Sequence, residues 1–164
     1  MIIRNWKILL FIISLISISS ALIAEYFFNL QPCELCLKQR HPYYLILVCL
    51  ISIFLFKNLN KIWFYLVIQF ASIYGLFYSI WHVGVENKIL KGPAGCSAML
   101  TNSENTTDLK AQILSKHVIS CDEVIWSIFG ISAASINTLV LLVIFILNAI
   151  YLLKYYGIKK EKSI

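Results

Sequence analysis

Residues 132–153 read SAASINTLVLLVIFILNAIYLL, twenty-two positions without a lysine, arginine, aspartate or glutamate. A helix needs about 20 residues to cross the hydrocarbon core of a bilayer, and this stretch meets that length. In lipid every backbone N–H and C=O must find its partner inside the protein, so a spanning segment is a helix or part of a closed barrel. Working outward, three more apolar runs precede it, at about 8–28, 42–57 and 62–82. The first holds one acid, Glu25, near its end. The second is short and opens at Pro42, a residue suited to a first helical position because its missing N–H is not needed there. Tilt or local thinning absorbs the mismatch. The expected fold is an all-α membrane protein. It is a four-transmembrane-helix bundle forming a single membrane domain over 1–164, with spans at about 8–28, 42–57, 62–82 and 132–153.

Composition supports the same class. Of 164 residues, 60% are hydrophobic and only 13% charged, against roughly 25% charged in an average globular protein. The net charge of +6 would suit a nucleic-acid binder by magnitude alone. Its basic residues instead flank the apolar runs in short clusters, as in membrane proteins, and no nucleic-acid partner is expected. The first run begins with Arg4 and Lys7 like a secretory signal, but it exceeds the usual 7–15 apolar residues of a signal core. It is expected to be retained as a helix.

Charge also orients the bundle. With both termini and the turn at 57–61 on one side, that side holds eight lysines and arginines against one acid. The opposite side holds six against seven. The basic side is expected to be cytoplasmic, which puts the loops at about 29–41 and 83–131 outside. Within the second loop, Val124-Ile125-Trp126-Ser127-Ile128-Phe129 is apolar and aromatic, and is expected to form a short interfacial helix.

Four of the five cysteines fall in these outer loops; Cys49 lies within the second run and reads as an inert buried thiol. Cys33-Glu34-Leu35-Cys36 is a CxxC, a spacing that closes a strained, reducible disulfide and lowers the pKa of one thiol. Zinc sites use the same spacing but normally want four ligands, often as two such pairs. Here Cys96 and Cys121 are 25 positions apart, so redox chemistry is favoured over metal. Cys96 and Cys121 read equally as a staple closing the long loop, contributing about 3 kcal/mol, or as an exchangeable disulfide open to a thiol on another protein. Arg40, four positions after Cys36, is either a snorkelling interfacial anchor or a cation that stabilises the Cys36 thiolate and holds an acceptor carbonyl. His82 is either structural or part of the site. Gln69, Asn137 and Asn148 read as interhelical hydrogen-bonding groups. No haem, flavin or iron–sulfur motif is present to accept electrons, and a lipid-soluble quinone is the acceptor that a pair at the bundle's edge suggests.

Taken together, Gln31-Pro32-Cys33-Glu34-Leu35-Cys36, Gln39-Arg40, His82-Val83-Gly84-Val85-Glu86, Gly95-Cys96-Ser97 and Cys121-Asp122-Glu123 with Trp126 and Phe129-Gly130-Ile131-Ser132 resemble the DsbB family of bacterial inner-membrane disulfide-bond formation proteins. The vitamin K epoxide reductase family carries its CxxC after the spaced pair, the reverse of the order here. The resemblance implies a quinone-dependent protein-disulfide oxidoreductase of the bacterial inner membrane, with cysteine loops in the periplasm. It would reoxidise a periplasmic thioredoxin-fold, DsbA-like dithiol and pass the electrons to ubiquinone or menaquinone, without a metal. It further implies Cys33–Cys36 and Cys96–Cys121 pairs at rest. Cys96 would form the mixed disulfide with the partner, Cys121 and Cys33 would exchange, and Cys36 would meet the quinone beside Arg40, with His82 a further cofactor-binding candidate. The rival class is a non-enzymatic membrane protein whose loop disulfides only stabilise it.

Overall fold

The computed structural model describes residues 5–56, 61–93, 121–122, 124, 126–128 and 130–161. Among them lie α1 (Trp6–Tyr26), α2 (Glu34–Leu55), α3 (Lys61–Glu86), β1 (Ser127–Ile128), β2 (Ile131–Ser132) and α4 (Ala133–Glu161). Helices α1 and α3 and the stretch Ala133–Lys154 are long and apolar enough to cross a membrane. The chain is thus an all-α membrane protein in architecture.

Each helix end has a local cause. After α1, the Leu30 N–H donates to the Ala24 carbonyl at 3.0 Å while Asn29 adopts φ 56°, a left-handed turn that asparagine tolerates. Helix α2 starts eight positions earlier than the Pro42 expected from sequence. Cys33 is its N-cap, with the sulfur accepting from the Cys36 N–H at 3.3 Å. Glu34 in the first turn complements the helix dipole and pairs with Lys38 at 2.7 Å. Pro42 is therefore interior, where it withholds the N–H that the Lys38 carbonyl would otherwise accept. Its ring packs against Gly75 of α3, where an added Cβ would sit 2.8 Å from Pro42 Cγ. At the end of α3, Gly84 leaves room for Leu90 to fold back, with the Leu90 N–H on the Gly84 carbonyl at 3.0 Å.

The helices pack in chain order, α1 on α2, α2 on α3 and α3 on α4, and they alternate in direction. One end gathers Trp6, Tyr65, Gln69 and Asn148. The Asn148 amide donates to the Tyr65 carbonyl at 3.0 Å and to Gln69 Oε1 at 2.8 Å, and the Trp6 indole donates to Asn148 Oδ1 at 3.5 Å. Gln69 and Asn148 are thus the interhelical groups expected from sequence. Leu10, Ile46, Leu50, Ile68, Leu141 and Ile144 fill the core, while Ile16, Val48, Phe70, Phe77 and Leu139 point outward. Apolar side chains on the outer surface of apolar helices are what a lipid solvent permits.

The expected interfacial helix at 124–129 is corrected. Ser127 and Ile128 pair antiparallel with Ser132 and Ile131, closed by Gly130 at φ 81°. A six-residue helix has too few hydrogen bonds to offset its nucleation, whereas a positive-φ glycine between β-branched residues closes a tight hairpin. Ser132 then caps α4, its hydroxyl accepting from the Ser135 N–H at 3.2 Å and donating to Glu86 at 2.6 Å.

Candidate dithiol site

At the end of the bundle opposite Trp6, the start of α2, the end of α3 and the start of α4 converge. Pro32 leads the chain in, and the extended backbone of Cys33 (φ −72°, ψ 170°) turns its sulfur back over the first helical turn. Cys36 is one turn on, and the two sulfurs are 2.9 Å apart and unbonded.

The two thiols differ in charge. Cys33 is lowered from its ordinary 9.0 to about 4, chiefly by the hydrogen bond its sulfur receives from the Cys36 thiol. Burial opposes this, and His82 assists it, with Nε2 3.7 Å from the sulfur. Its place at a helix N-terminus acts in the same sense. Cys36 is pushed up, first by the hydrogen bond it gives to Cys33 and next by burial, with the Arg40 charge pulling the other way. In the reduced pair the anion therefore sits on Cys33.

The two cysteines have different surroundings. Cys36 lines a cavity of about 170 Å³ together with Ala21, Pro32, Arg40, Tyr43, Trp126 and Asn137. Cys33 is not part of that lining and belongs to a buried cluster with Leu35, Val85 and Cys121, against which Cys36 also packs. Cys121 is fully buried and disulfide-bonded. Arg40 donates from Nη1 to the Glu25 carboxylate and from Nη2 to the Ala21 carbonyl at 3.4 Å, both on α1.

Of the residues expected from sequence, Cys33, Cys36, Arg40, His82 and Cys121 are brought to one end of the bundle. Cys96 lies outside the described residues. Cys49 is buried in the main core, away from the site. Three polar partners carried no site role in the sequence: Gln39, Glu86 and Glu25. Gln39 contacts His82 Nδ1 at 2.9 Å, and Glu86 lies 3.9 Å from Nε2. Their helical spacing was the available signal, Gln39 three positions after Cys36 and Glu86 four after His82. The sulfurs of Cys33 and Cys36 and a ring nitrogen of His82 all lie within 4.8 Å of one another, a spacing that suits ligation of a thiophilic ion as well as closure of a disulfide between the two sulfurs.

Comparison with known proteins favours the disulfide chemistry. The family model described as disulfide bond formation protein DsbB matches residues 3–151. An uncharacterized protein of Rickettsia prowazekii (strain Madrid E) is 30% identical over 135 residues, covering 81% of this chain and 78% of that protein. No solved structure matches the chain. A buried dithiol at a helix N-terminus, set between a bonded cysteine and a cavity among apolar helices, accords with that family: the chain belongs to the DsbB family of disulfide bond formation proteins and is a membrane disulfide oxidoreductase.

Proposed function

We propose that this protein reoxidises a periplasmic thioredoxin-fold, DsbA-like dithiol and delivers the electron pair to a membrane quinone, ubiquinone or menaquinone. The observation that carries the reading is the division of labour within the CxxC: Cys33 packs with Cys121, while Cys36 opens on the cavity that Arg40 lines. The domain is a four-span bundle over 1–164 in the bacterial inner membrane, both termini cytoplasmic and the cysteine loops periplasmic. Spans lie near 8–28, 42–57, 62–82 and 132–153, and the polar first turns of α2 meet the outer interface.

The chemistry balances as follows. A thiolate of the partner attacks Cys96 of a Cys96–Cys121 disulfide, forming a mixed disulfide and releasing the Cys121 thiolate. Cys121 attacks Cys33 of the oxidised CxxC, and the Cys33–Cys36 bond breaks to leave a Cys36 thiolate. The partner's second thiol then displaces Cys96, and the partner leaves oxidised. Cys96 in turn releases Cys33 by attacking Cys121, and the CxxC closes again once its electron pair has gone. A bound quinone supplies the sink for two electrons and two protons. The Arg40 guanidinium carries five N–H donors in a fixed fork, enough to serve Glu25, Ala21 and a carbonyl oxygen, and Ile18, Ile136 and Val140 offer the ring an apolar wall.

Charge moves with the bond. In the dithiol, the hydrogen bond to Cys33 keeps the proton on Cys36. When Cys33 is joined to Cys121, that sulfur bears no charge and its hold on the Cys36 proton is lost, which leaves burial to raise Cys36 and the Arg40 charge to oppose it.

The decisive experiment is quinone reduction by purified protein given a reduced DsbA-like partner. Activity is expected to vanish in Cys33→Ser and Cys36→Ser, and the proposal is abandoned if either reduces quinone as fast as the parent. A second reading, a zinc site on Cys33, Cys36 and His82, is favoured by their proximity. It requires the reduced protein to hold zinc against a chelator, and to lose it in His82→Gln.

A further inference from the structure

His82 stands between the two sulfurs and the polar interior of the bundle, and what it can do depends on which ring nitrogen carries hydrogen. Its Nδ1 lies 2.9 Å from Gln39 Nε2. The same Gln39 nitrogen is 3.4 Å from the backbone carbonyl of Tyr78, a group that can only accept. On the other side, Gln39 Oε1 accepts from the Asn137 amide at 2.9 Å. Asn137 is held in turn by the Tyr43 hydroxyl, which donates to its Oδ1 at 2.6 Å, and by Ser79 Oγ, which accepts from its Nδ2 at 3.2 Å.

Turning the Gln39 amide over would set its oxygen against the Tyr78 carbonyl, acceptor against acceptor. It would also set its NH₂ against the NH₂ of Asn137. Both contacts are repulsive, so the nitrogen faces His82. Nδ1 then accepts, and the proton of the neutral ring resides on Nε2. That nitrogen is 3.7 Å from Cys33 Sγ and 3.9 Å from Glu86 Oε1, and both are acceptors when ionised.

We infer that Gln39 is a positioning residue that fixes His82 as its Nε2–H tautomer, making the ring a standing hydrogen-bond donor to the Cys33 sulfur and leaving no lone pair on that nitrogen for a metal ion or a proton. The function follows from the geometry. A donor held in place stabilises negative charge at Cys33 whenever that sulfur attacks or leaves, without a proton having to move first. A metal-bound histidine has the opposite arrangement, its second N–H resting on an acceptor. Here the second nitrogen meets a donor, so the Cys33, Cys36 and His82 set is built for sulfur exchange and not for zinc.

The functional half of this inference rests on the proposed role of Cys33; the tautomer is measured without it. The test is nitrogen NMR of the reduced full-length protein in lipid nanodiscs, labelled with ¹⁵N-histidine. The chain has three histidines, and His82→Gln identifies the signals of interest. In the parent, His82 Nε2 is expected in the protonated range and Nδ1 in the unprotonated range. Gln39→Glu, which offers an acceptor in place of a donor, is expected to move the proton to Nδ1. Gln39→Met, which has neither group and avoids burying a charge, is expected to give a mixture of tautomers. Each variant should slow the exchange between Cys33 and Cys121 by about 10- to 100-fold, the worth of a hydrogen bond to a charged group. A parent ring protonated on Nδ1 would overturn the inference, as would an unchanged pure Nε2–H ring in Gln39→Met. Loss of quinone reduction with the tautomer as expected strikes the proposed function alone.

Discussion

The guanidinium of Arg40, on the second turn of α2, is hydrogen-bonded to the carboxylate of Glu25, in the last turn of α1. The pair is only slightly exposed, its side chains 13% and 23% accessible. It ties α1 to the wall of the cavity and holds the cation beside Cys36. Removing Glu25 leaves that cation partly buried and without its counter-charge, which is costlier than losing an exposed ion pair. Glu25→Ala is expected to destabilise the protein by about 1–3 kcal/mol, and Glu25→Gln, which keeps an accepting oxygen, by less. Thermal unfolding in detergent checks the ranking. If Arg40 also holds the quinone carbonyl, Arg40→Ala raises the apparent quinone KM while exchange with the partner dithiol continues. An unchanged KM removes that role from Arg40.

The Cys33 thiolate ties the stability of the reduced protein to pH. Its folded value, about 4, lies below the ordinary 9.0, so between those two the unfolded chain holds a proton there that the folded chain does not. Folding stability from this group therefore rises as pH increases across that window, and is lost as pH falls toward 4. Reduced parent is expected to gain stability over Cys33→Ser between about pH 5 and 8, tracked by unfolding midpoints. The thiolate absorbance of the folded protein should persist well below neutral pH. Its disappearance near pH 8 would contradict the assigned anion.

Helix α3 lies tightly against α2 and α4 at Gly75, where a Cβ would lie 2.8 Å from Pro42 Cγ and 3.0 Å from Leu141 Cδ1. Gly75→Ala must push the helices apart, and overpacking of this kind costs about 1–3 kcal/mol. The loss is measurable as a lower unfolding temperature. Because Pro42 lies one turn below Lys38 and Gln39, the same change should also weaken the contact between Gln39 and His82, visible as altered His82 nitrogen shifts.

Zinc binding separates sulfur chemistry from ligation. With hydrogen on His82 Nε2, the ring adds nothing to metal affinity. Titration of the reduced protein with zinc is expected to give the same affinity for parent and for His82→Gln. A drop of tenfold or more in His82→Gln would show that the ring ligates.

Much of the architecture is legible in the chain, for reasons that differ from element to element. Residues 132–153 announce a helix because length and apolarity act together in lipid. The second helix was harder to place. Its first two turns are polar, and Pro42 resembles a helix start unless one sees the Gly75 surface that receives its ring. At Ser127–Ile128 the apolar pattern was real, but six residues suit a strand or a helix equally, and Gly130 decided the matter through its backbone. The CxxC and Arg40 were visible because their chemistry is local, within one turn of one helix. Gln39, Glu86 and Glu25 were not, since their roles come from partners on other helices or on a neighbouring turn.

By itself, then, the sequence determined that this is a membrane protein built from long apolar helices, and that Cys33 and Cys36 lie one helical turn apart. Those features depend on hydrophobic length and on spacings of a few residues, which any folded form of the chain must keep. Only the tertiary structure decided what surrounds each sulfur. It set Cys33 in a cluster with Cys121, and placed Cys36 against that cluster and on the wall of the cavity. It brought His82, 49 positions from Cys33, to 3.7 Å, and it oriented the ring through Gln39, Tyr78 and Asn137 from two other turns and a third helix. A hydrogen bond has a direction as well as a distance, and the direction of these bonds is set by helices that meet only after the bundle has packed.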